Sequence, residues 1–213
     1  MIYEMRTYDF KPGTMSEVER RFGEGYEKTR RRFSELAACW HTEIGPLNQL
    51  VHIWPYEDIE ERESVRAAAA KSGSWPPDIA NFRLAIHSAL MVPLDICPPI
   101  KPGRIGPYFE MRIYRYALGE LPLLIKSWER AIETRLEFGP VYGLWYTRTG
   151  ELNQFVQVWP YESLGQRAEI REKVRATGMW PPSVNAKREG GRAYKLISQE
   201  SKILMPSAFS PVQ

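Results

Sequence analysis

Four polar side chains have the chemistry of an acid–base or ligand-binding site. Glu4, Arg6 and Tyr8 occupy alternate positions near the start of the chain, and His52 lies in the predicted strand 47–54, a segment otherwise apolar enough to be buried. Alternation predicts that the first three share one face of a strand. Because histidine titrates near neutral pH, His52 could act with Glu4 and Tyr8 as a general acid or base, with Arg6 binding the substrate. The alternative is that His52 is a hydrogen-bonded core residue.

Part of this set recurs in the second half of the chain. The stretch 47–57 reads Leu-Asn-Gln-Leu-Val-His-Ile-Trp-Pro-Tyr-Glu, and 152–162 reads Leu-Asn-Gln-Phe-Val-Gln-Val-Trp-Pro-Tyr-Glu. Residues 3–8 and 109–114 also match, so the polar residues return as Glu110, Arg112 and Tyr114.

The histidine is the member that does not recur. Gln157 occupies its place, 105 positions after His52. A spacing this long is typical of a duplicated domain and not of a solenoid repeat. Since glutamine cannot exchange a proton, we predict one working pocket, in copy one, with copy two retained as a scaffold.

Aromatic residues and a second histidine extend the candidate site. Trp54 and its counterpart Trp159 share strands with His52 and Gln157, and Trp40 lies on the preceding strand. These tryptophans either form an aromatic wall around a planar ligand or pack the core. His41, next to Trp40, would approach the same cavity if the two strands pair about the turn at 45–46.

Arginines recur at two further places. Arg62 and Arg66 return as Arg167 and Arg171, in each case four residues apart on one helical face. They form either an exposed ion-paired face or an anion clamp at a pocket mouth. We interpret the run 30–32 as a solvated face that complements the dipole at a helix end.

Each copy is predicted to run strand, helix, strand, strand, helix, strand. In copy one the strands are 2–9, 36–43, 47–54 and 84–92, with helices from residue 14 and over 57–72; in copy two the strands are 108–116, 140–148, 152–159 and 196–205, with helices over 120–138 and 162–177. The proline-rich stretch 96–107 reads as a linker between units 1–95 and 108–213.

A family resemblance supports this organisation. Glu4-x-Arg6-x-Tyr8, the following Lys-Pro-Gly, and the run Leu-Asn-Gln-x-Val-His-x-Trp resemble the NIPSNAP family of ferredoxin-like proteins across both halves. The resemblance implies an α+β fold in which two fused ferredoxin-like units pair their antiparallel sheets into an α+β barrel.

In such a barrel the first strand of each unit has no solvated face. Glu4 and Glu110 would then be buried charges, which must be paired. Either neighbouring arginines satisfy them and fix the register of the sheets, or they line a ligand pocket with Tyr8 and Tyr114.

Composition narrows the function classes. The chain is 43% hydrophobic and 26% charged, with two cysteines and a net charge of +3. We expect no membrane span, no targeting peptide, no disulfide, no metal site and no cofactor. Nucleic-acid binding would need a basic stripe accompanied by exposed aromatic residues, and that pattern is absent, so we expect no nucleic-acid partner. We predict a cytoplasmic protein.

Three functions are compatible with these residues. The first is a cofactor-independent enzyme of monooxygenase, isomerase or cyclase type, acting on a small apolar or aromatic metabolite. The second is a non-catalytic ligand-binding or protein-interaction module. The third is a haem-binding protein with His52 or His41 as axial ligand. The sequence allows a further homodimer without requiring one.

Overall fold

The computed structural model describes residues 1–184 and 194–213. Copy one contains β1 (Ile2–Phe10), α1 (Met15–Lys28), β2 (Ala38–Ile44), β3 (Gln49–Tyr56), α2 (Ile59–Lys71) and β4 (Arg83–Pro93). Copy two contains β5 (Tyr108–Tyr116), α3 (Leu121–Leu136), β6 (Gly143–Thr147), β7 (Gln154–Tyr161), α4 (Leu164–Ala176) and β8 (Leu196–Pro206). The predicted element order is confirmed in both copies. None of the described helices combines the length and apolarity that a bilayer crossing demands.

The strands close into one antiparallel barrel in the order β1-β3-β2-β8-β5-β7-β6-β4. In each copy the first strand lies between the third and the fourth, as in a ferredoxin-like unit. The copies join where β2 pairs with β8 and where β4 pairs with β6. Each unit therefore covers the two sheet edges that the other would leave unpaired.

The two faces of β1 have different surroundings. Tyr3 and Met5 point into the barrel, where they pack in one cluster with Phe109, Trp145 and other residues of copy two. Glu4, Arg6 and Tyr8 therefore lie on the outer face, beneath the helices, because successive strand residues point to opposite sides. The structure thus shows which sheet face carries Glu4 and Arg6, which alternation alone leaves open.

The hairpin turns explain the repeated Gly and Asn residues. Gly45 and Asn48 in copy one, like Gly150 and Asn153 in copy two, have positive φ angles between 58° and 117°. Glycine adopts this region without steric penalty and asparagine tolerates it better than most residues do. The turn places β3 beside β2 with His52 opposite Cys39.

The two helices of each copy cover the outer sheet face unequally. Helix α1 buries Val18, Phe22 and Tyr26 against the sheet, as its apolar stripe predicts. The buried residue of α2 is Ala69, and that of α4 is Val174. Because α2 and α4 bring little side-chain volume to the sheet, space remains beneath them.

Candidate functional site

A cavity lies on the outer sheet face of each copy. The copy-one cavity has a volume of about 250 Å³, and its lining includes Arg6, Tyr8, Arg30, His52, Trp54 and Arg66. The copy-two cavity has a volume of about 380 Å³, and its lining includes Arg112, Tyr114, Arg135, Gln157, Trp159 and Arg171. The structure thus brings together Arg6, Tyr8, His52 and Trp54, and in copy two it brings together Glu110, Arg112, Tyr114 and Trp159.

The hydrogen bonding of His52 defines its protonation. The indole N–H of Trp54 donates to His52 Nδ1 at 2.6 Å. An indole nitrogen can only donate, so Nδ1 must be the acceptor and the proton of the neutral ring lies on Nε2. That Nε2 is buried and has no hydrogen-bond partner among the described residues. His52 is therefore a lining residue of the copy-one cavity that keeps one unused donor.

Electrostatics keep this ring neutral. Burial lowers the pKa of His52, the positive charge of Arg6 lowers it further, and the result is a pKa of about 3. A general base poised near neutral pH would need a pKa closer to 7. The Trp54 hydrogen bond and the lowered pKa together favour a neutral hydrogen-bond donor over the acid–base role that we expected.

Gln157 has the same arrangement in copy two. The indole N–H of Trp159 donates to Gln157 Oε1 at 3.1 Å, and the buried Gln157 Nε2 has no partner among the residues described. The amide thus accepts from the tryptophan two positions later and keeps a free N–H donor, as neutral His52 does. We interpreted this replacement as the loss of a function, but its hydrogen bonding is preserved.

Glu4 is paired, and it supports the site from beneath. It is fully buried and accepts hydrogen bonds from Arg6 at 2.7 Å, Arg62 at 2.6 Å and Ser88 at 2.9 Å. Burial alone raises the pKa of Glu4, but the Arg62 hydrogen bond and the charges of Arg6 and Arg66 lower it to about 2. The carboxylate is thus a permanent anion that positions the arginines.

Glu110 repeats this network in copy two. It accepts from Arg112 at 2.9 Å, Arg167 at 2.6 Å and Ser201 at 2.7 Å. The two explanations of the repeated glutamates therefore both apply in part. Arginines pair with both glutamates, although Glu110 Oε2 has no hydrogen-bond partner among the described residues. Arg6 and Arg112 also line the two cavities.

Arg30 is a cavity residue that the sequence interpretation missed. We predicted a solvated arginine face at 30–32, but Arg30, which lies in the 3₁₀ turn after α1, is only 2% exposed. Its guanidinium donates to the Tyr56 hydroxyl at 2.9 Å and lies 4.2 Å from the centre of a Trp54 ring. The interpretation as a solvated face was wrong for this residue.

A signal for Arg30 was present in the repeat. Arg135 stands 105 positions later and is also buried. It donates to Tyr161 at 3.3 Å and lies 4.1 Å from the centre of a Trp159 ring. A buried arginine that recurs at the same spacing and stacks on a recurring tryptophan is part of the site in both copies.

Two predicted site residues lie elsewhere. Trp40 is fully buried in the barrel interior, because its neighbours Cys39 and His41 occupy the outer face of β2. His41 is on the outer face but binds Glu19 of α1 through Nδ1 at 2.9 Å, and the Ser207 hydroxyl donates to the same carboxylate oxygen. We therefore withdraw Trp40 and His41 as ligand contacts.

The His41–Glu19 pair predicts a small pH effect on stability. The hydrogen bond to Glu19 raises the pKa of His41 above 6.5. The protonated pair therefore stabilises the fold below pH 6.5, and this contribution is lost as pH rises through the raised pKa. Urea unfolding should show that His41→Gln costs about 0.5–1 kcal/mol near pH 5.5 and less near pH 8.5. The exposed His87→Gln is the control, and an equal His41→Gln cost at both pH values would contradict the prediction.

The described residues offer little to a metal or to haem. No group of three or more His, Cys, Asp or Glu side chains within 1–184 and 194–213 could hold a metal ion. His52 Nδ1 accepts from Trp54 and Nε2 carries the proton, so neither nitrogen of this tautomer has a lone pair available to iron. With His41 bound to Glu19 as well, the structure gives haem ligation no support.

Comparison with known proteins finds a matching family and similar relatives. A family model described as NIPSNAP matches residues 3–98 and 109–211. Protein NipSnap homolog 3A of Homo sapiens is 31% identical over 223 residues, which cover 100% of this chain and 86% of that protein. Protein NipSnap homolog 3B of Homo sapiens is 32% identical, with 99% and 85% covered.

A solved structure agrees in fold over almost the whole chain. It is that of a candidate monooxygenase from Fusobacterium nucleatum, with a TM-score of 0.68 at 10% identity, and the match covers 97% of this chain and 92% of that one. At this identity the likeness shows the fold alone.

Proposed function

The chain belongs to the NIPSNAP family, and we propose that it binds a small aromatic anion, such as an aromatic carboxylic acid, in the copy-one cavity. One observation carries this proposal. The buried His52 Nε2–H has no partner among the described residues, and the His52 side chain lines the same cavity as Arg6, Arg30 and Arg66. A neutral donor among guanidinium groups suits an oxygen-rich anion.

The balance of charge favours an anionic ligand. Four arginines line the cavity, namely Arg6, Arg30, Arg66 and Arg83. Glu4 already accepts close hydrogen bonds from Arg6 and from Arg62, and it is 3.5 Å from Arg66. Partly buried guanidinium groups in excess of their counterions are costly, and a ligand carboxylate would offset that cost.

The apolar lining favours an aromatic body. Trp75 contacts Phe22 and Trp54 edge to face, with ring centres 5.2 Å and 6.2 Å apart. Ile79 and Ile86 contribute further to the lining. Drug-sized ligands occupy pockets of about 300–1,000 Å³, so the copy-one cavity suits a molecule of one or two rings.

A cofactor-independent enzyme of monooxygenase, isomerase or cyclase type is the second candidate, and Tyr8 favours it. Arg6 Nε donates to the Tyr8 hydroxyl oxygen at 2.9 Å, so the Tyr8 proton points away from Arg6 and is available to a bound molecule. If catalysis occurs here, Tyr8→Phe should bind the anion and lose turnover. Equal loss of binding and turnover would assign Tyr8 to binding alone.

Substitutions at His52 test the proposal through a chosen probe, 2-naphthoate. His52→Leu removes the free donor and leaves the Trp54 N–H without its acceptor, so the affinity of the copy-one cavity for 2-naphthoate should fall about tenfold. His52→Gln restores both hydrogen bonds, as Gln157 does in copy two, and should bind within about threefold of the unmodified chain. Isothermal titration calorimetry measures both the affinity and the stoichiometry.

The uncharged 2-naphthamide is the matched ligand control. It has the same ring system without the negative charge, so it should bind much more weakly than 2-naphthoate. Equal binding of the two compounds, or His52→Leu and His52→Gln variants that behave alike, would remove the basis of the proposal.

A further inference from the structure

We propose that the copy-two cavity is a second binding site for the same chemical class, so that one chain binds two aromatic anions. This inference rests on the proposed function of the copy-one cavity. It reverses the expectation that copy two is a scaffold, an expectation that followed from the absence of a histidine at position 157. Three comparisons between the cavities support it.

The first comparison concerns the buried donor. In copy one, Trp54 donates to His52 Nδ1 and leaves His52 Nε2 unused; in copy two, Trp159 donates to Gln157 Oε1 and leaves Gln157 Nε2 unused. Both unused nitrogens are buried and unpartnered within the described part of the chain. A neutral imidazole and a carboxamide each combine one acceptor with a donor, so they are interchangeable here unless a proton must move.

The second comparison concerns the cations. Among the described residues, the copy-two cavity is also lined by four arginines, of which Arg112, Arg135 and Arg171 correspond to Arg6, Arg30 and Arg66. The fourth has changed position.

In copy one the fourth arginine is Arg83, which pairs with Phe10 across the strands. The corresponding residue of copy two is Leu196, which pairs with Tyr116. Copy two instead carries Arg175 on α4, where α2 has Ala70, 105 positions earlier. A loss on the strand is thus matched by a gain on the helix within residues 1–184 and 194–213.

The remaining charge supports an anionic occupant. Arg171 lies 3.6 Å from Glu110, which already accepts closer hydrogen bonds from Arg112 and Arg167. Burial lowers the pKa of Arg171, and the charge of Arg112 lowers it further. Among the described residues, Glu110 lines this cavity with an unpartnered Oε2, together with the four arginines. The positive charge therefore exceeds what Glu110 neutralises, and a bound carboxylate would offset the excess.

The third comparison concerns size and polarity, in which the two cavities differ. The copy-two cavity is larger, about 380 Å³ against 250 Å³. Ile86 of copy one, opposite Tyr8, is replaced by Gln199, opposite Tyr114. Phe10 is replaced by Tyr116, which lines the copy-two cavity. Copy two should therefore accept a larger and more polar aromatic acid than copy one, and the two sites should differ in affinity.

Calorimetric titration of the full chain with 2-naphthoate tests the inference. The unmodified chain should bind two molar equivalents of 2-naphthoate. Gln157→Leu should lower the affinity of the copy-two cavity about tenfold, and His52→Leu should do the same for the copy-one cavity. Arg171→Met and Arg66→Met form a second matched pair on the partly exposed helices α4 and α2, and each should again weaken one equivalent. This pair keeps the test valid if a buried substitution prevents folding.

The outcomes separate the two proposals. Binding of one equivalent that His52→Leu or Arg66→Met weakens, while Gln157→Leu and Arg171→Met have no effect, would overturn the second site and leave the proposed function intact. One equivalent that responds only to the copy-two substitutions would overturn the copy-one assignment. The absence of any 2-naphthoate binding would overturn both.

Discussion

Replacing Glu4 by glutamine is expected to lower the free energy of unfolding by about 3–5 kcal/mol. The carboxylate is fully buried and is the shared acceptor for Arg6 and Arg62, with Arg66 at 3.5 Å. A glutamine cannot neutralise these guanidinium groups, and its amide N–H groups would face other donors. Urea unfolding monitored by tryptophan fluorescence measures the change.

Glu63→Gln is the matched control for this substitution. Glu63 also pairs with Arg62, but its side chain is largely exposed, so its removal should cost less than about 1 kcal/mol. Glu110→Gln should reproduce the large effect in copy two, where Glu110 accepts from Arg112 and Arg167. Equal costs for Glu4→Gln and Glu63→Gln would show that the buried network does not stabilise the fold.

The same network sets the response to acid. The pKa of Glu4 is lowered from 4.5 to about 2, so its contribution to stability is fully present above pH 4.5. The contribution is lost as pH falls from 4.5 through about 2, where the carboxylate becomes protonated in the folded chain. The stability difference between the unmodified chain and Glu4→Gln should therefore shrink over this interval.

Arg30→Met is expected to weaken 2-naphthoate binding in the copy-one cavity by roughly 30-fold, or about 2 kcal/mol. Arg30 is held by the Tyr56 hydroxyl and by the Trp54 ring, so its guanidinium is positioned before a ligand arrives. Methionine fills a similar volume without charge or donors. The chain should lose the charge-assisted hydrogen bonds to the carboxylate while the cavity keeps its shape.

The neighbouring Arg31→Met separates a local effect from loss of net charge. Arg31 lies in the same 3₁₀ turn, but it is exposed and pairs with Glu27. Calorimetric titration should therefore give nearly unchanged affinity for Arg31→Met, and the melting temperatures of the two variants show whether each remains folded. Similar affinities for Arg30→Met and Arg31→Met would exclude Arg30 from the ligand site.

Closure of the barrel explains why the sites lie on its outside. Large side chains from both copies fill the interior, including Trp40, Phe109, Trp145 and Leu204. The apolar inner faces of the two sheets are buried against each other by these residues, which form one common core. The polar residues of β1 and β5 are therefore on the outer faces, where the thin packing of α2 and α4 leaves the two cavities.

The duplication, the order of elements, the pairing of the two sheets and the burial of Glu4 and Glu110 were predictable from the sequence. Each depends on local patterns, such as repeated motifs, period-two alternation and turn residues, or on the family resemblance that the motifs carry. Such signals determine which residues share a face of a strand. They do not determine whether helices or a second sheet cover that face.

The tertiary structure decided the composition and chemistry of the sites. Arg30 and Arg135 enter the cavities because each pairs with a tyrosine hydroxyl and stacks on a tryptophan ring of the sheet, contacts between residues that are distant in the sequence. The neutrality of His52, and the equivalence of Gln157 to it, depend on a donor two residues away on the same strand face and on burial. A side chain's protonation and free hydrogen-bonding capacity are set by its neighbours in space, which is why a substitution that reads as a loss in the sequence keeps the hydrogen bonding of the folded site.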